Sequence, residues 1–120
     1  MRSLGARLVD AVAAQDPSAL AACFAEDAQL RALIPGGLRE RQGPADSAAL
    51  ISSWFADSTE MSLVASSVDD VEDRLHIWYR FAGTEEGEPY LVEQHLFCVV
   101  TDDRIARAHL LCSGFRPRAA

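Results

Sequence analysis

Residues 75–81 read LHIWYRF and residues 90–100 read YLVEQHLFCVV. In an extended chain successive side chains point to opposite faces. Leu75, Ile77, Tyr79 and Phe81 then share one side, and His76, Trp78 and Arg80 share the other. A hairpin closing at Glu86-Gly87 places Arg80 opposite Glu93, Trp78 opposite His95 and His76 opposite Phe97. That register also gathers Ile77, Tyr79 and Phe81 with Val92, Leu96 and Cys98 on a nearly all-apolar face, which is expected to lie beneath helices. A slip of one residue would exchange the two faces.

Outward from this hairpin, everything after residue 61 is strand-like. MSLVASSV leads to the acidic turn DDVED, GTEEGEP separates the two long stretches, and TDD precedes RIARAHLLCSGF. The N-terminal part reads as helices. Leu4, Leu8, Val9 and Val12 recur at helical spacing and predict a first helix over roughly residues 3–14. Asp16 is placed to cap a second, with Pro17 at its first position and Leu20, Cys23 and Phe24 as its stripe up to Asp27. AQLRALIP and LRERQG read as short strands around Gly36-Gly37. PADSAALISSWFADS is a third helix with Leu50, Ile51, Trp54 and Phe55 on its apolar face, and Ser47, Ser52, Ser53 and Asp57 on the polar one. FRPRAA, residues 115–120, reads as a tail. The layout is α+β: three N-terminal helices packed on one face of a strongly curved, mainly antiparallel sheet, forming one domain over residues 1–120.

The composition excludes several classes of function. The 120-residue chain carries a net charge of −7, with its arginines interspersed among acids, so no basic stripe is available to displace phosphate counterions from nucleic acid. No apolar run approaches the roughly 18 residues of a membrane span. Arg7 and Asp10 interrupt what would be the apolar core of a signal peptide. A cytoplasmic protein is expected. Cys23, Cys98 and Cys112 sit among apolar neighbours, where cysteine acts as a small hydrophobe in a reducing compartment. Neither metal nor cofactor is implied.

Several junctions resemble the nuclear-transport-factor-2-like, or SnoaL-like, superfamily. They are DPSALAACFAEDAQL, IPGGLRERQGPADSAALISSWF and the closing DDRIARAHLLCSGF. The resemblance implies a cone with an interior pocket and covers nearly the whole chain. It implies no single activity, because the superfamily includes isomerases, cyclases, epoxide hydrolases, dehydratases and proteins without chemistry. The positions matching the ketosteroid isomerase Tyr and two acids are Leu8, Ala32 and Leu96. Those matching the Arg, Asp and Asp of limonene-epoxide-hydrolase-like enzymes are His76, Trp78 and Leu110. Both catalytic sets are missing.

Within such a cone the expected pocket lining is Leu33, Trp54, Phe55, Tyr79, Tyr90, Val92, Gln94, Leu96, Leu110 and Cys112, with Tyr79, Tyr90 and Gln94 as its polar groups. The ligand expected there is a small hydrophobic or aromatic molecule; the alternative is a filled cone in a non-catalytic dimerisation module. The opposite face carries Trp78, Arg80, Glu93, Phe97 and Val99 together with His76 and His95. Its aromatic and arginine content favours a homodimer contact over wet surface or a ligand site. His76, His95 and His109 are candidate general bases, since free imidazole titrates near neutrality. Glu93 is expected to point away from His95 and so not to pair with it.

Overall fold

The computed structural model describes residues 1–118, and it places Leu75, Ile77, Tyr79 and Phe81 wholly out of contact with water. Three helices, α1 (Arg2–Ala13), α2 (Pro17–Ala21) and α3 (Pro44–Phe55), lie over that face. The curved open sheet has strands β1 (Phe24–Ile34), β2 (Gly37–Gln42), β3 (Ser58–Val71), β4 (Arg74–Glu85), β5 (Glu88–Thr101), β6 (Arg104–Cys112) and β7 (Arg116–Pro117). Their spatial order is β2-β1-β6-β5-β4-β3, with β7 added beside β5. Only β1 and β6 run parallel; the other pairings are antiparallel. This is the α+β layout expected from the sequence.

The β4–β5 hairpin closes at Glu86-Gly87, and Arg80 faces Glu93, Trp78 faces His95 and His76 faces Phe97. Both turn residues have positive φ, 51° for Glu86 and 80° for Gly87, which is the twist a two-residue hairpin turn requires. Asp102 and Asp103 close the β5–β6 hairpin in the same way, at 53° and 58°. Gly83 is needed for a different reason. A Cβ there would lie 2.6 Å from the Tyr90 hydroxyl, because the ring of its cross-strand neighbour lies over it.

The core fills the space between the helices and the inner sheet face. Leu4, Leu8, Leu20 and Ile51 come from the helices; Phe24, Leu30, Leu75, Ile77, Phe81, Leu96 and Ile105 come from the strands. Asp16 caps α2 by accepting from the Ala19 N–H at 3.0 Å, and Pro17 follows it as expected. α3 opens without a side-chain cap, on Gly43 at a φ of 81° followed by Pro44 at its first position.

Four expectations need correction. α2 stops at Ala21, and Phe24 already belongs to β1, because its ring is buried in the strand alternation that continues through Ala28, Leu30 and Ala32. β3 starts at Ser58 and runs through the acidic stretch to Val71, so only Glu72 and Asp73 turn. The supposed tail is structured through residue 117. Phe115 stacks between Phe55 and Tyr90 at 5.5 and 4.9 Å, and β7 pairs with Tyr90 and Leu91. The rest of FRPRAA beyond residue 118 lies outside the described residues. Finally, Ser47 is buried on the core side of α3, because the 47-51-55 row, not Trp54, is centred on the sheet.

Candidate functional site

The inner face of β4 and β5 is mostly apolar, with a fully buried polar pair near its middle. Tyr79 donates its hydroxyl proton to Gln94 Oε1 at 2.6 Å, and both side chains are fully buried. Strand pairing sets this contact, since Tyr79 and Gln94 are directly opposite. Gln94 Nε2 in turn donates to Cys112 Sγ at 3.4 Å, and the Gly114 N–H donates to the same sulfur. A thiol sulfur is a weak acceptor, so the amide N–H is only lightly satisfied. Burial pushes the Tyr79 phenol well above its usual range, with Cys112 and Cys98 adding to the effect. The phenol therefore stays protonated and acts as a hydrogen-bond donor. Burial likewise pushes the Cys98 thiol up to about 12, and Cys23 is raised by the same cause.

A second polar contact lies towards the wide end of the sheet. Tyr90 donates to Ser58 Oγ at 2.8 Å, and burial raises its phenol too. Ser58, the partner, has no sequence signal beyond its place at the start of β3. Between α1, α2 and α3 opens a hollow of about 560 Å³, lined by Ala11, Val12, Gln15, Leu20, Ile51 and Phe55 among others. Gln15 braces its rim by donating from Nε2 to the Phe55 carbonyl at 2.8 Å. The Phe55 ring packs edge-on against Phe81 at 5.9 Å, and Phe81 lies 5.4 Å from Tyr79. An aromatic file thus joins the hollow to the buried pair.

The expected lining residues do not all meet in the interior. Phe55, Tyr79, Tyr90, Val92, Gln94, Leu96 and Leu110 are buried there. Cys112 is half-buried at the edge of the same cluster, and Trp54 packs against the core from the flank of α3. Leu33 is a correction. It is 51% exposed on the outer face, because Leu30 and Ala32 take the inward parity of β1.

The outer face carries the rest. Phe97 is 42% exposed, while Trp78, Arg80, Glu93, Val99, His76 and His95 are half-buried beside it. His109 is exposed and borders a shallow hollow of about 350 Å³ with Arg31, Leu33, Leu38, Phe97 and Leu111. All three histidines point away from the interior polar pair. Glu93 does pair with His95, whose Nε2 lies 2.8 Å from Oε2, contrary to expectation. Residues two apart on a strand share a face, and that period-two rule was the signal available in the sequence. Arg80 Nε and Nη2 both donate to Glu93 Oε1, at 3.0 and 2.7 Å. The carboxyl is held below its usual range first by His95 and then by Arg80. No grouping of three or more metal-ligating side chains occurs among the described residues.

The SnoaL-like domain profile matches residues 6–108. The chain belongs to the SnoaL-like family. Its solved structural relatives agree on the fold. A hypothetical protein of ketosteroid-isomerase-like fold from Catenulispora acidiphila, in complex with trimethylamine, is 16% identical over 89% of this chain and 82% of its own, with a TM-score of 0.73. IdmH, a candidate polyketide cyclase from Streptomyces antibioticus, is 17% identical over 92% and 90%, with a TM-score of 0.72. A candidate polyketide cyclase from Xanthomonas campestris is 25% identical over 92% and 90%, with a TM-score of 0.67. No curated protein sequence matches the chain. Leu8, Ala32, Leu96 and Leu110, the positions that the resemblance matches to isomerase and epoxide-hydrolase groups, are all buried apolar side chains.

Proposed function

We propose that this SnoaL-like protein binds a small hydrophobic or aromatic molecule bearing a carbonyl or hydroxyl oxygen, and that Tyr79 and Gln94 receive that oxygen. One observation carries the reading: a hydrogen-bonded phenol and amide are fully buried among apolar side chains of β4 and β5. Burying an amide is costly unless its groups are paired, and the sulfur that takes the Gln94 N–H is a poor partner. A ligand oxygen would be a better one. The hollow between the helices supplies access, and its 560 Å³ falls in the range of small-molecule pockets. Phe55 and Phe81 stand between the hollow and the pair, so the ligand reaches it by displacing both rings.

The chemistry this arrangement supports is hydrogen-bond donation from the Tyr79 hydroxyl to a ligand oxygen that gains negative charge, as in an isomerisation or a cyclisation. Of the residue types considered as shuttles, Tyr79 is favoured over His76, His95 and His109, which face the other side of the sheet. The relatives described as candidate polyketide cyclases support the same class of substrate. Residence in the cytoplasm accords with the three free thiols. No helix is long and apolar enough to cross a membrane among the described residues.

The test is a binding titration with 1-tetralone and with tetralin, which differ by one carbonyl oxygen. The hydrogen bond should be worth about 1 kcal/mol, so the ketone should bind roughly fivefold more tightly. Tyr79→Phe should abolish that preference while leaving tetralin binding in place. Failure of both compounds to bind, or an unchanged preference in the variant, would overturn the assignment.

The outer face is proposed to seat a second copy of the chain. Leu38, Leu33, Leu111 and Phe97 are all more than two-fifths exposed, and they lie on four adjacent strands beside Trp78. Such a continuous apolar area is unusual on a monomer.

A further inference from the structure

The outer sheet face holds an unbroken hydrogen-bonded row that the proposed function does not use. Arg80 donates twice to Glu93 Oε1, Glu93 Oε2 lies 2.8 Å from His95 Nε2, and His95 Nδ1 lies 3.0 Å from His76 Nε2. The rings are held in plane. His76 stacks on Phe97 at 4.4 Å and 3°, and the His95 ring lies nearly parallel to those of His76 and Trp78, with centroids 5.2 and 5.8 Å away.

Chemistry fixes where the protons sit. Glu93, kept ionised by Arg80, can only accept, so His95 must carry its proton on Nε2. His95 Nδ1 then has a lone pair, and His76 Nε2–H donates to it. This leaves His76 Nδ1 as the open base of the row. We propose that Glu93, His95 and His76 form a two-stage proton switch: the first added proton is held with every contact intact, and the second breaks the row.

The first proton binds at His76 Nδ1. His76 passes its Nε2 proton to His95 Nδ1 and becomes neutral again, now accepting from His95. The positive charge comes to rest on His95, against the Glu93 carboxylate, and no other group has to move. A second proton has only His76 Nε2 to occupy. Two N–H groups would then confront each other across 3.0 Å, on two imidazolium rings whose centroids lie 5.2 Å apart. The contact must open, taking with it the packing of Phe97 and Trp78.

The charged groups around the row neither supply nor replace this logic. Asp69 faces His76 from β3, and His109 and Arg107 face Phe97 and Val99 from β6. Arg31 lies beyond His109 on β1, and Arg116 on β7 lies opposite Leu91. Partial burial lowers the His76 pKa, His95 lowers it further, and Asp69 opposes both. The sign follows. A histidine depressed below 6.5 contributes stability that is complete above that pH and is lost as pH falls through its folded value. Glu93 is depressed below 4.5 and stays ionised throughout that window.

Nitrogen-15 histidine NMR of the full chain between pH 8 and 4.5 tests the switch. Both His76 and His95 should be Nε2–H tautomers at pH 8. Each ring should then report two steps separated by more than one pH unit, a tenfold or greater difference in proton affinity, as coupled sites do. His76→Phe, which keeps a flat ring against Phe97, should reduce His95 to a single step. An Nδ1–H tautomer at His95, or two rings titrating independently in the wild type, would overturn the proposal. Those wild-type results decide it even if the variant does not fold.

Discussion

Tyr79 and Gln94 meet where neither side chain touches water, and the energetics of that contact dominate the residue scale. Replacing Tyr79 by Phe keeps the ring and removes the only strong partner of Gln94 Oε1. An unsatisfied buried acceptor costs about 1–3 kcal/mol, so denaturant unfolding should register a loss of that size. Gln94→Leu should register a comparable loss, because it leaves the fully buried Tyr79 hydroxyl without its acceptor. The inward position of Tyr79 was legible from the alternation in LHIWYRF, since one parity was apolar along the whole stretch. The contact between Glu93 and His95 was equally available from the period of two, since residues i and i+2 of a strand share a face. Ser58 was not legible. Its role depends on where β3 ends against Tyr90, a distance of 32 residues along the chain.

At the scale of the element, parity has measurable consequences on β1. Leu30 is fully buried and Leu33 is half-exposed on the other side. Leu30→Ala should cost about 2–5 kcal/mol by leaving a cavity, whereas Gln29→Ala, on the exposed side of the same strand, should stay within about 0.5 kcal/mol. Equal losses would contradict the assignment of faces. On α3, the buried Ser47 hydroxyl has no hydrogen-bond partner. Ser47→Ala removes that unsatisfied group, so thermal unfolding should show an unchanged or higher Tm. The β4–β5 register was readable because charge and aromatic pairs agreed with a two-residue turn. The α2–β1 boundary was not, since Leu20, Cys23 and Phe24 suit a helical stripe and a buried strand start alike. Leu33 was misplaced because both sides of ALIP are apolar, and local pattern cannot choose between them.

For the whole molecule, helices on one side of the sheet leave the other side to be explained. The face running from Leu38 to Trp78 combines exposed aliphatic groups, a bidentate Arg80–Glu93 pair and stacked rings. Sedimentation at micromolar concentration should show a dimer for the wild type and a monomer for Trp78→Glu, with helix content unchanged. A monomeric wild type would remove the self-association claim and leave the interior reading untouched. The interior is the central claim, and infrared spectroscopy of bound 1-tetralone tests it most directly, because the carbonyl stretch reports hydrogen bonding to that oxygen alone. In the wild type the band should move to lower frequency than in an apolar solvent, and in Tyr79→Phe it should return towards the solvent value. A bound ketone whose carbonyl band is the same in both proteins would show that Tyr79 does not meet the ligand.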